Sequence, residues 1–453
     1  MKKRLPLYTL PMIFALAWPT MLEQLLQTAV QYIDTAMVGS LGTDAVAAVG
    51  STTTVNWLVG STISAAGIGF LSYISQAFGA GDDKKARRAS AQSVTAVLVL
   101  GIFFTALTLS LSPFVPVWMQ VDPKIHTLSA TYFFILYAPM LLRCASIIFG
   151  TVLRAAGDSK TPMIAGIAVN VTNVVLNFFL IYPTRQVSLL GYCITLPGAG
   201  LGVIGAGLAS AAAFTLGGIL ITVALLKHKK ISPRGFSIRP DGEILKPCLR
   251  VALPNAGQRF ITSLGYVVFA SAVNSLGETS TAAHTIANTV ESAFYIPGYG
   301  MQSAAATLSG NAKGAGDERL FRDTSSMIIA IEVILMVLSG GLLFFFAPDM
   351  VRLFSSDPQV ISLSVIVLRM VALSEPFYGV SIAIEGMLQG LGKTLLPFIV
   401  NIIGMWGIRI VGTLICVYLL DMGLISAWAC MIAHNLLLFA VFCVYYKKGR
   451  LIK

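Results

Sequence analysis

The sequence predicts an all-α polytopic membrane protein with twelve transmembrane helices in two six-helix lobes. Three observations predict this fold class: the composition, a series of long apolar segments, and an internal repeat. Of the 453 residues, 56% are hydrophobic and only 11% are charged, and the mean hydropathy is +0.80. A water-soluble globule of this length needs more polar surface than this composition provides. The chain is therefore expected to lie in a lipid bilayer.

Twelve apolar segments are long enough to cross the bilayer as helices, which takes about 20 residues each. They lack the strict alternation of apolar and polar residues that is typical of barrel strands. The predicted spans are 8–38, 48–76, 89–113, 127–152, 162–183, 201–226, 251–276, 283–310, 324–347, 359–388, 395–419 and 423–446.

The positive charges are distributed very unevenly between the two sides of these spans. If the N-terminus is cytoplasmic, 24 of the 31 Lys and Arg residues fall in cytoplasmic segments. Such a bias follows the positive-inside rule, so both termini are expected in the cytoplasm of a multi-pass protein in the cell (plasma or inner) membrane. No nucleic-acid partner is expected, although the net charge is +11. The six cysteines show no CxxC spacing, so neither a zinc site nor a disulfide framework is indicated. No cofactor is expected.

The two halves of the chain repeat each other at an offset of 235 residues, without a gap. Pro19 aligns with Pro254, and the Gly-Ala-Gly-Asp segment 79–82 aligns with the same segment at 314–317. Six spans per half is an even number, so both halves enter the membrane from the same side and are parallel repeats. Parallel repeats imply two lobes that rock around a cavity between them. The predicted domains are an N-terminal lobe at 1–226, a cytoplasmic linker at 227–250 and a C-terminal lobe at 251–453.

The first span carries a polar face that includes two acids. Glu23 and Asp34 share one side of the helix with Gln27 and Gln31. Ionisable groups in hydrocarbon are costly and therefore point to function. Glu23 has the alternative of reaching interfacial water near a helix end, whereas Asp34 is too short to do so and is the candidate for reversible protonation. Pro19 lacks a backbone donor and is the candidate hinge of this helix.

The fifth span places three amides on a narrow strip. Asn170, Asn173 and Asn177 lie on one helical face, where they either bond to neighbouring helices or form a site. A direct role in a site is predicted for Asn177. Ser210 on the sixth span has the alternative of serving only for close packing.

The second half has its own polar face on the eighth span, formed by His284, Asn288, Glu291 and Tyr295. Further intramembrane candidates are Arg259, Glu375, Glu385, Arg409 and His434. Ion pairs that join Arg259 or Arg409 to Glu375 or Glu291 would explain these charges without a second coupling site.

Several of these motifs together resemble the multidrug and toxic compound extrusion (MATE) family. They are the span from Pro19 to Asp34, the segment 76–82, the helix end at 153–158 before Pro162, and Asn177 after Leu176. The resemblance covers essentially the whole chain. It implies twelve spans in two lobes and the efflux of amphipathic cations in exchange for protons or sodium ions.

Within that family the chain is most similar to the DinF-like branch. The resemblance implies an ion-coupling site at Asp34, Asn177 and Ser210, with a kink at Pro19. Where that branch usually has a second aspartate, this sequence has Ile181, which favours protons over sodium. The acids of the NorM-like branch align with Thr262 and Tyr378, so that pattern is missing.

The sequence therefore predicts a secondary active multidrug exporter, without enzymatic activity, that exchanges organic cations for H⁺. Asp34 and Asn177 would ligate the metal ion if the coupling ion is Na⁺. The chain is expected to act as a monomer, with small cationic substrates as its partners in the bilayer. A lipid or lipid-linked oligosaccharide flippase is the alternative. A membrane-embedded enzyme is a less favoured alternative, because this sequence lacks enzymatic motifs such as HExxH. The predicted substrate cavity comprises Glu23, Gln27, Gln31, Asn170, Asn173, Asn288, Glu291, Tyr295, Glu375 and Tyr378.

Overall fold

The computed structural model describes residues 6–189 and 192–449, and helices occupy all twelve predicted positions. The predicted cytoplasmic termini include residues 1–5 and 450–453, which lie outside the described residues. The helices are α1 Leu10–Gly39, α2 Thr43–Gly79, α3 Asp83–Leu111, α4 Val115–Trp118, α5 His126–Tyr137, α6 Met140–Ala155, α7 Lys160–Leu180, α8 Gly202–Lys227, α9 Gly242–Asn274, α10 Glu278–Phe294, α11 Ile296–Ala315, α12 Glu318–Arg352, α13 Pro358–Gly390, α14 Leu395–Ile402, α15 Val411–Leu414 and α16 Leu424–Lys447.

Three predicted spans are interrupted. The fourth consists of α5 and α6, which meet at an angle of 48° beside Pro139, a residue without a backbone donor. The eighth is divided into α10 and α11, with Pro297 in the first turn of α11. In the eleventh, π-helical turns at Ile403–Ile410 and Ile415–Leu419 follow α14 and α15.

Two short strands were not predicted. Strand β1, Pro183–Leu189, pairs antiparallel with β2, Tyr192–Ala199, between α7 and α8. Short 3₁₀ turns at Leu7–Thr9 and Pro123–Ile125 precede α1 and α5.

By length and apolar composition, eight helices of the described chain could each cross a membrane, or nine if the bent pair α5 and α6 counts as one span. Helices α1 and α9, in the predicted first and seventh spans, are not among these eight, and they contain ionisable residues such as Asp34 and Arg259. The eighth does not reach it because it is split into two helices.

The described residues form two compact units. The N-terminal unit comprises Leu22–Phe70 and Asp83–Leu245, and the C-terminal unit comprises Leu71–Asp82, Lys246 onward and the described part of Met1–Met21. The unit boundaries differ from the predicted lobe boundaries in that α1 is divided after Met21 and the end of α2, from Leu71 onward, belongs to the C-terminal unit. The lobes at 1–226 and 251–453 with their linker, which rest on the sequence repeat, stay a prediction.

Close helix packing organises the N-terminal unit. In its core, α3 packs on α6, and α8 packs on both α6 and α7. Gly218 of α8 lies directly against the backbone of Leu142 in α6, where even a methyl group would collide. This arrangement brings the polar faces of α1, α7 and α8 together, as the hydrogen bonds below show.

The C-terminal unit is built around α12 and α13. Its core includes Leu343, Val367, Trp428 and their apolar neighbours. The end of α2 belongs to this unit, and there Ser72 Oγ and Gln76 Nε2 donate to the carbonyl of Gly390 at 3.1 and 2.9 Å.

Candidate ion-coupling site

Asp34 of α1 lies in a polar cluster with residues of α7 and α8. Asn177 Nδ2 donates to Asp34 Oδ1 at 2.6 Å and to Asn173 Oδ1 at 3.2 Å. Asn173 Nδ2 in turn lies 3.1 Å from Ser210 Oγ. The predicted coupling residues Asp34, Asn177 and Ser210 therefore lie in one connected group, which also contains Asn173.

The side-chain amide of Asn173 forms better-matched hydrogen bonds when the positions of its oxygen and nitrogen are exchanged. Its nitrogen then donates to Asp34 Oδ1 at 2.8 Å and Oδ2 at 3.0 Å, and its oxygen accepts from Ser210 Oγ at 3.1 Å. In this orientation the Asp34 carboxylate accepts from two amides, which is the environment that supports its negative charge.

The two amides are buried and Asp34 is partly accessible. Asn177 is 1% exposed and Asn173 is 6% exposed, whereas Asp34 is half-buried. Among the described residues, no Lys, Arg or His lies within ion-pairing distance of Asp34. Asn177 Oδ1 is buried and has no hydrogen-bond partner in that part of the chain. Within the part of the chain that the structure describes, the cluster therefore presents one carboxylate and one free amide oxygen, without a protein cation to balance the charge.

Glu23 occupies a different place on α1. Its Oε2 accepts from Arg154 Nη2 of α6 at 2.6 Å, and its side chain packs over Gly166 of α7. The predicted role of Glu23 in a substrate cavity stays a prediction, but one of its two carboxylate oxygens is paired with this arginine.

Replacing Arg154 with alanine is expected to lower the free energy of unfolding by about 1.5–3 kcal/mol, the range for hydrogen bonds to charged groups. The low end is expected because the Arg154 and Glu23 side chains remain 18% and 23% exposed. Denaturation of the purified protein in detergent measures it. A double-mutant cycle with Glu23→Gln isolates the pair, and additive single effects would show that the two side chains do not interact.

The other polar residues of the first and fifth spans are more accessible than the two buried amides of this cluster. Gln27 and Gln31 are exposed, and Asn170 is half-buried. Helix α1 continues through Pro19, which is buried within it. The hinge at Pro19 and the roles of Gln27, Gln31 and Asn170 in a substrate cavity stay predictions.

In the C-terminal unit, the predicted face of α10 divides between two environments. Glu291 is 2% exposed and accepts a hydrogen bond from the Tyr295 hydroxyl. Tyr295 meets Tyr378 of α13 edge to face, with ring centroids 5.3 Å apart. Asn288, in contrast, is exposed, so Glu291, Tyr295 and Tyr378 are brought together and Asn288 is not.

The proposed ion pairs of Arg259 and Arg409 with Glu291 or Glu375 are not among the salt bridges of the described chain. Arg259 Nε donates to Asn255 at 3.0 Å. The Arg409 guanidinium lies 4.2 Å from the ring centroid of Phe269 and 4.8 Å from that of Tyr266. Aromatic faces therefore accommodate Arg409 where carboxylates were expected.

One buried acid was missed by the sequence reasoning. Glu332 lies on α12, within the predicted ninth span, and is 0% exposed. The same rule that selected Asp34, an ionisable residue within an apolar segment, would have found it. No group of three or more His, Cys, Asp or Glu residues suited to a metal ion occurs among the described residues.

The MatE family model matches residues 19–179 and 254–415. The two matches begin at the offset of the internal repeat. The chain is 28% identical to "Probable multidrug resistance protein NorM" of Thermotoga maritima, covering 97% of this chain and 92% of that protein. It is 24% identical to "Probable multidrug resistance protein YoeA" of Bacillus subtilis, covering 96% and 93%.

Among solved structures, that of MATE in complex with MaD3S matches with a TM-score of 0.88 at 23% identity, covering 97% of this chain and 95% of that one. A MOP superfamily transporter from Pyrococcus furiosus matches with a TM-score of 0.86 at 24% identity. These likenesses confirm the predicted two-lobe, twelve-helix fold.

Proposed function

Because the chain belongs to the MatE family of membrane transporters, as its motifs predicted, we propose that it exports small organic cations in exchange for a proton bound at Asp34. The observation that carries this proposal is the Asp34 carboxylate, which is held by the Asn177 amide and faces no protein cation among the described residues. The branch within the family stays a prediction.

An acid in this position has a reason to bind and release a cation. A carboxylate in a membrane domain is costly unless a positive charge or a proton neutralises it. Amide donors lower the cost of the charged form but do not cancel the charge. Asp34 can therefore exist both as a charged carboxylate and as a protonated acid. Proton movement down its gradient through this site can then drive the export of the substrate.

The substrate class follows from the relatives and from the charge of the site. Both relatives named above are called multidrug resistance proteins, which supports a broad substrate range here. An organic cation and a proton both neutralise a carboxylate, so they compete for it. In the C-terminal unit, the rings of Tyr295 and Tyr378 lie edge to face and offer aromatic faces of the kind that attract cations.

A proton is favoured over a sodium ion because the cluster contains one carboxylate. Residue 181, where the resembling branch usually has a second aspartate, is an isoleucine that is 1% exposed. Sodium is coordinated by several oxygens, and the ones available are Asp34, Ser210 and the free Asn177 Oδ1. Sodium is therefore the alternative coupling ion, with Asp34 and Asn177 as its ligands.

The coupling ion can be identified in inverted membrane vesicles that contain the protein. Ethidium uptake is measured while either a proton gradient or a sodium gradient is imposed separately. We expect the proton gradient alone to drive uptake, and a protonophore to stop it. Uptake that requires the sodium gradient and ignores the protonophore would contradict proton coupling, and uptake with neither would contradict exchange.

We also infer that the protein acts as a monomer in the cell membrane, with both termini in the cytoplasm, and that its two lobes rock during the cycle. The charge distribution between spans supports this orientation.

A further inference from the structure

Two cysteines of the C-terminal unit meet between the eleventh span and α16. Cys416 lies in the π-helical segment Ile415–Leu419, and Cys430 lies on α16. Both thiols are free and half-buried. The Cys430 thiol is in hydrogen-bonding contact with the Cys416 thiol. Two thiols in contact are the arrangement from which a disulfide can form, provided that the backbones are close enough.

Close packing at Gly412 of α15 brings the two helices together at this point. A Cβ at Gly412 would lie 3.0 Å from Cys430 Sγ and 3.6 Å from Cys430 Cβ. The two Cβ atoms of a disulfide are about 3.5–4.5 Å apart, so Cys430 approaches the eleventh span as closely as a disulfide partner does. Gly412 precedes Cys416 by four residues, which places both on one face of the span. The missing side chain at Gly412 therefore lets Cys430 reach the helix surface beside Cys416.

Both cysteines border a groove between these two helices. The groove has a volume of about 830 Å³, and its lining includes Cys416, Cys430 and the small residues Gly407, Gly412, Ala429 and Ala433. A small reagent in this groove can reach the two thiols. The thiols of Cys144 and Cys248, in contrast, belong to buried residues.

The pair lies near the connection between the two spans. The π-helical segment ends at Leu419 and α16 begins at Leu424. At about 1.5 Å per residue, Cys416 is roughly 5 Å and Cys430 roughly 9 Å from these ends. The backbone N–H of Met422 donates to the carbonyl of Cys416 at 2.8 Å, which folds the connection back onto the span. The thiols are therefore closer to water than to the bilayer centre, about 15 Å from its surface.

The predicted orientation places this connection on the side where disulfides persist. With the N-terminus in the cytoplasm, the segment between the eleventh and twelfth spans faces the outside of the cell, according to the charge distribution. Extracytoplasmic compartments are oxidising, whereas cytosolic thiols are kept reduced.

Neither a metal site nor ordinary packing accounts for the pair as well. Structural zinc sites use four ligands, and no group of three or more His, Cys, Asp or Glu residues suited to a metal ion occurs in the described ranges. A single cysteine can serve as a small apolar side chain. That role predicts no joint reaction of two thiols in an accessible groove.

We propose that Cys416 and Cys430 are a redox-active pair that closes to a disulfide by exchange with a disulfide-bearing oxidant and thereby clamps the eleventh span to α16. One thiolate of the pair attacks a sulfur of the oxidant and displaces the other sulfur. The second thiolate then attacks the resulting mixed disulfide and displaces the remaining half. Two protein thiols are oxidised, and the oxidant is reduced to two thiols that carry the two protons. The inference does not rest on the proposed exchange function.

The reaction can be followed with dithiodipyridine, an uncharged aromatic disulfide, added to the full-length protein in lipid nanodiscs. Peptide mass spectrometry without reduction locates the products. We expect a cross-link between the peptides of Cys416 and Cys430 that dithiothreitol removes. In Cys416→Ser and in Cys430→Ser, the remaining thiol should keep a pyridylthio adduct, because no second thiol displaces it.

The matched control is Cys443→Ser, because Cys443 is also half-buried on α16 but lies about 20 Å further along the helix. This variant should form the cross-link as the unchanged protein does. Pyridylthio adducts on both Cys416 and Cys430 without a cross-link would overturn the proposal, and so would the absence of any reaction at both positions.

The clamp has a separate consequence for stability. A disulfide restricts the unfolded chain, so the cross-linked protein should melt a few degrees above the reduced protein in scanning fluorimetry. This difference should vanish in Cys430→Ser and persist in Cys443→Ser. An unchanged or lower melting temperature in protein that carries the cross-link would contradict the clamp.

Discussion

Replacement of Asp34 by asparagine is expected to abolish proton-driven efflux and leave a folded protein. Asparagine has nearly the same volume, and its side-chain oxygen can accept the hydrogen bond that Asn177 donates to Asp34. What it cannot do is gain and lose a proton. Ethidium transport in vesicles under an imposed proton gradient should therefore fall to the level of vesicles without the protein.

The matched control is Asp44→Asn, because Asp44 is an exposed carboxylate in the first turn of α2 in the same unit. Transport should be unchanged in that variant. The amount of folded protein is checked by size-exclusion chromatography for both. Undiminished gradient-driven transport in Asp34→Asn would remove Asp34 from the mechanism.

A second large effect is expected at Gly314, where α11 crosses the end of α2 within the C-terminal unit. A Cβ at Gly314 would collide with the backbone of Gln76, 2.7 Å from its carbonyl carbon. A Cβ at Gly79 would lie 2.6 Å from the carbonyl carbon of Asn311. Because Gly79 and Gly314 are equivalent in the internal repeat, the crossing is symmetric and depends on two glycines.

Gly314→Ala should therefore lower the free energy of unfolding by about 1–3 kcal/mol, the usual cost of overpacking. Gly341→Ala is the control, since a Cβ at this helical glycine of α12 meets nothing within 4 Å. There alanine should stabilise the helix by about 0.5–1 kcal/mol. Denaturant titration in detergent micelles measures both variants. Equal changes of the same sign would show that the helices do not cross closely.

The Gly-Ala-Gly-Asp segments illustrate how far local sequence information reaches. The pattern predicts a helix end followed by a new helix, and both ends are found: Gly81 and Gly316 have φ angles of 71° and 65°, and Asp317 caps α12 through Leu320 N at 2.8 Å. Glycine readily adopts such angles because it has no Cβ. The role of the preceding glycines as crossing points could not be predicted, because it depends on another helix.

The same distinction holds for the candidate site. Helical periodicity alone places Asp34 and Asn177 on polar faces, and the family resemblance relates them to each other. That Asn173 joins them, and that Glu23 pairs with Arg154 instead, depends on how α1, α6 and α7 are rotated against each other.

The amino-acid sequence alone specified the twelve helical segments, the duplication and the intramembrane acid of the first span, because apolar length, repeated motifs and helical period can be read along the chain itself. Tertiary structure decided which polar groups meet. It placed Arg409 on aromatic rings, and it buried Glu332 and Glu375 where no described residue forms a hydrogen bond with their carboxyl groups. Contacts of this kind join residues far apart in the chain, so they follow from how whole helix surfaces pack and not from any single segment.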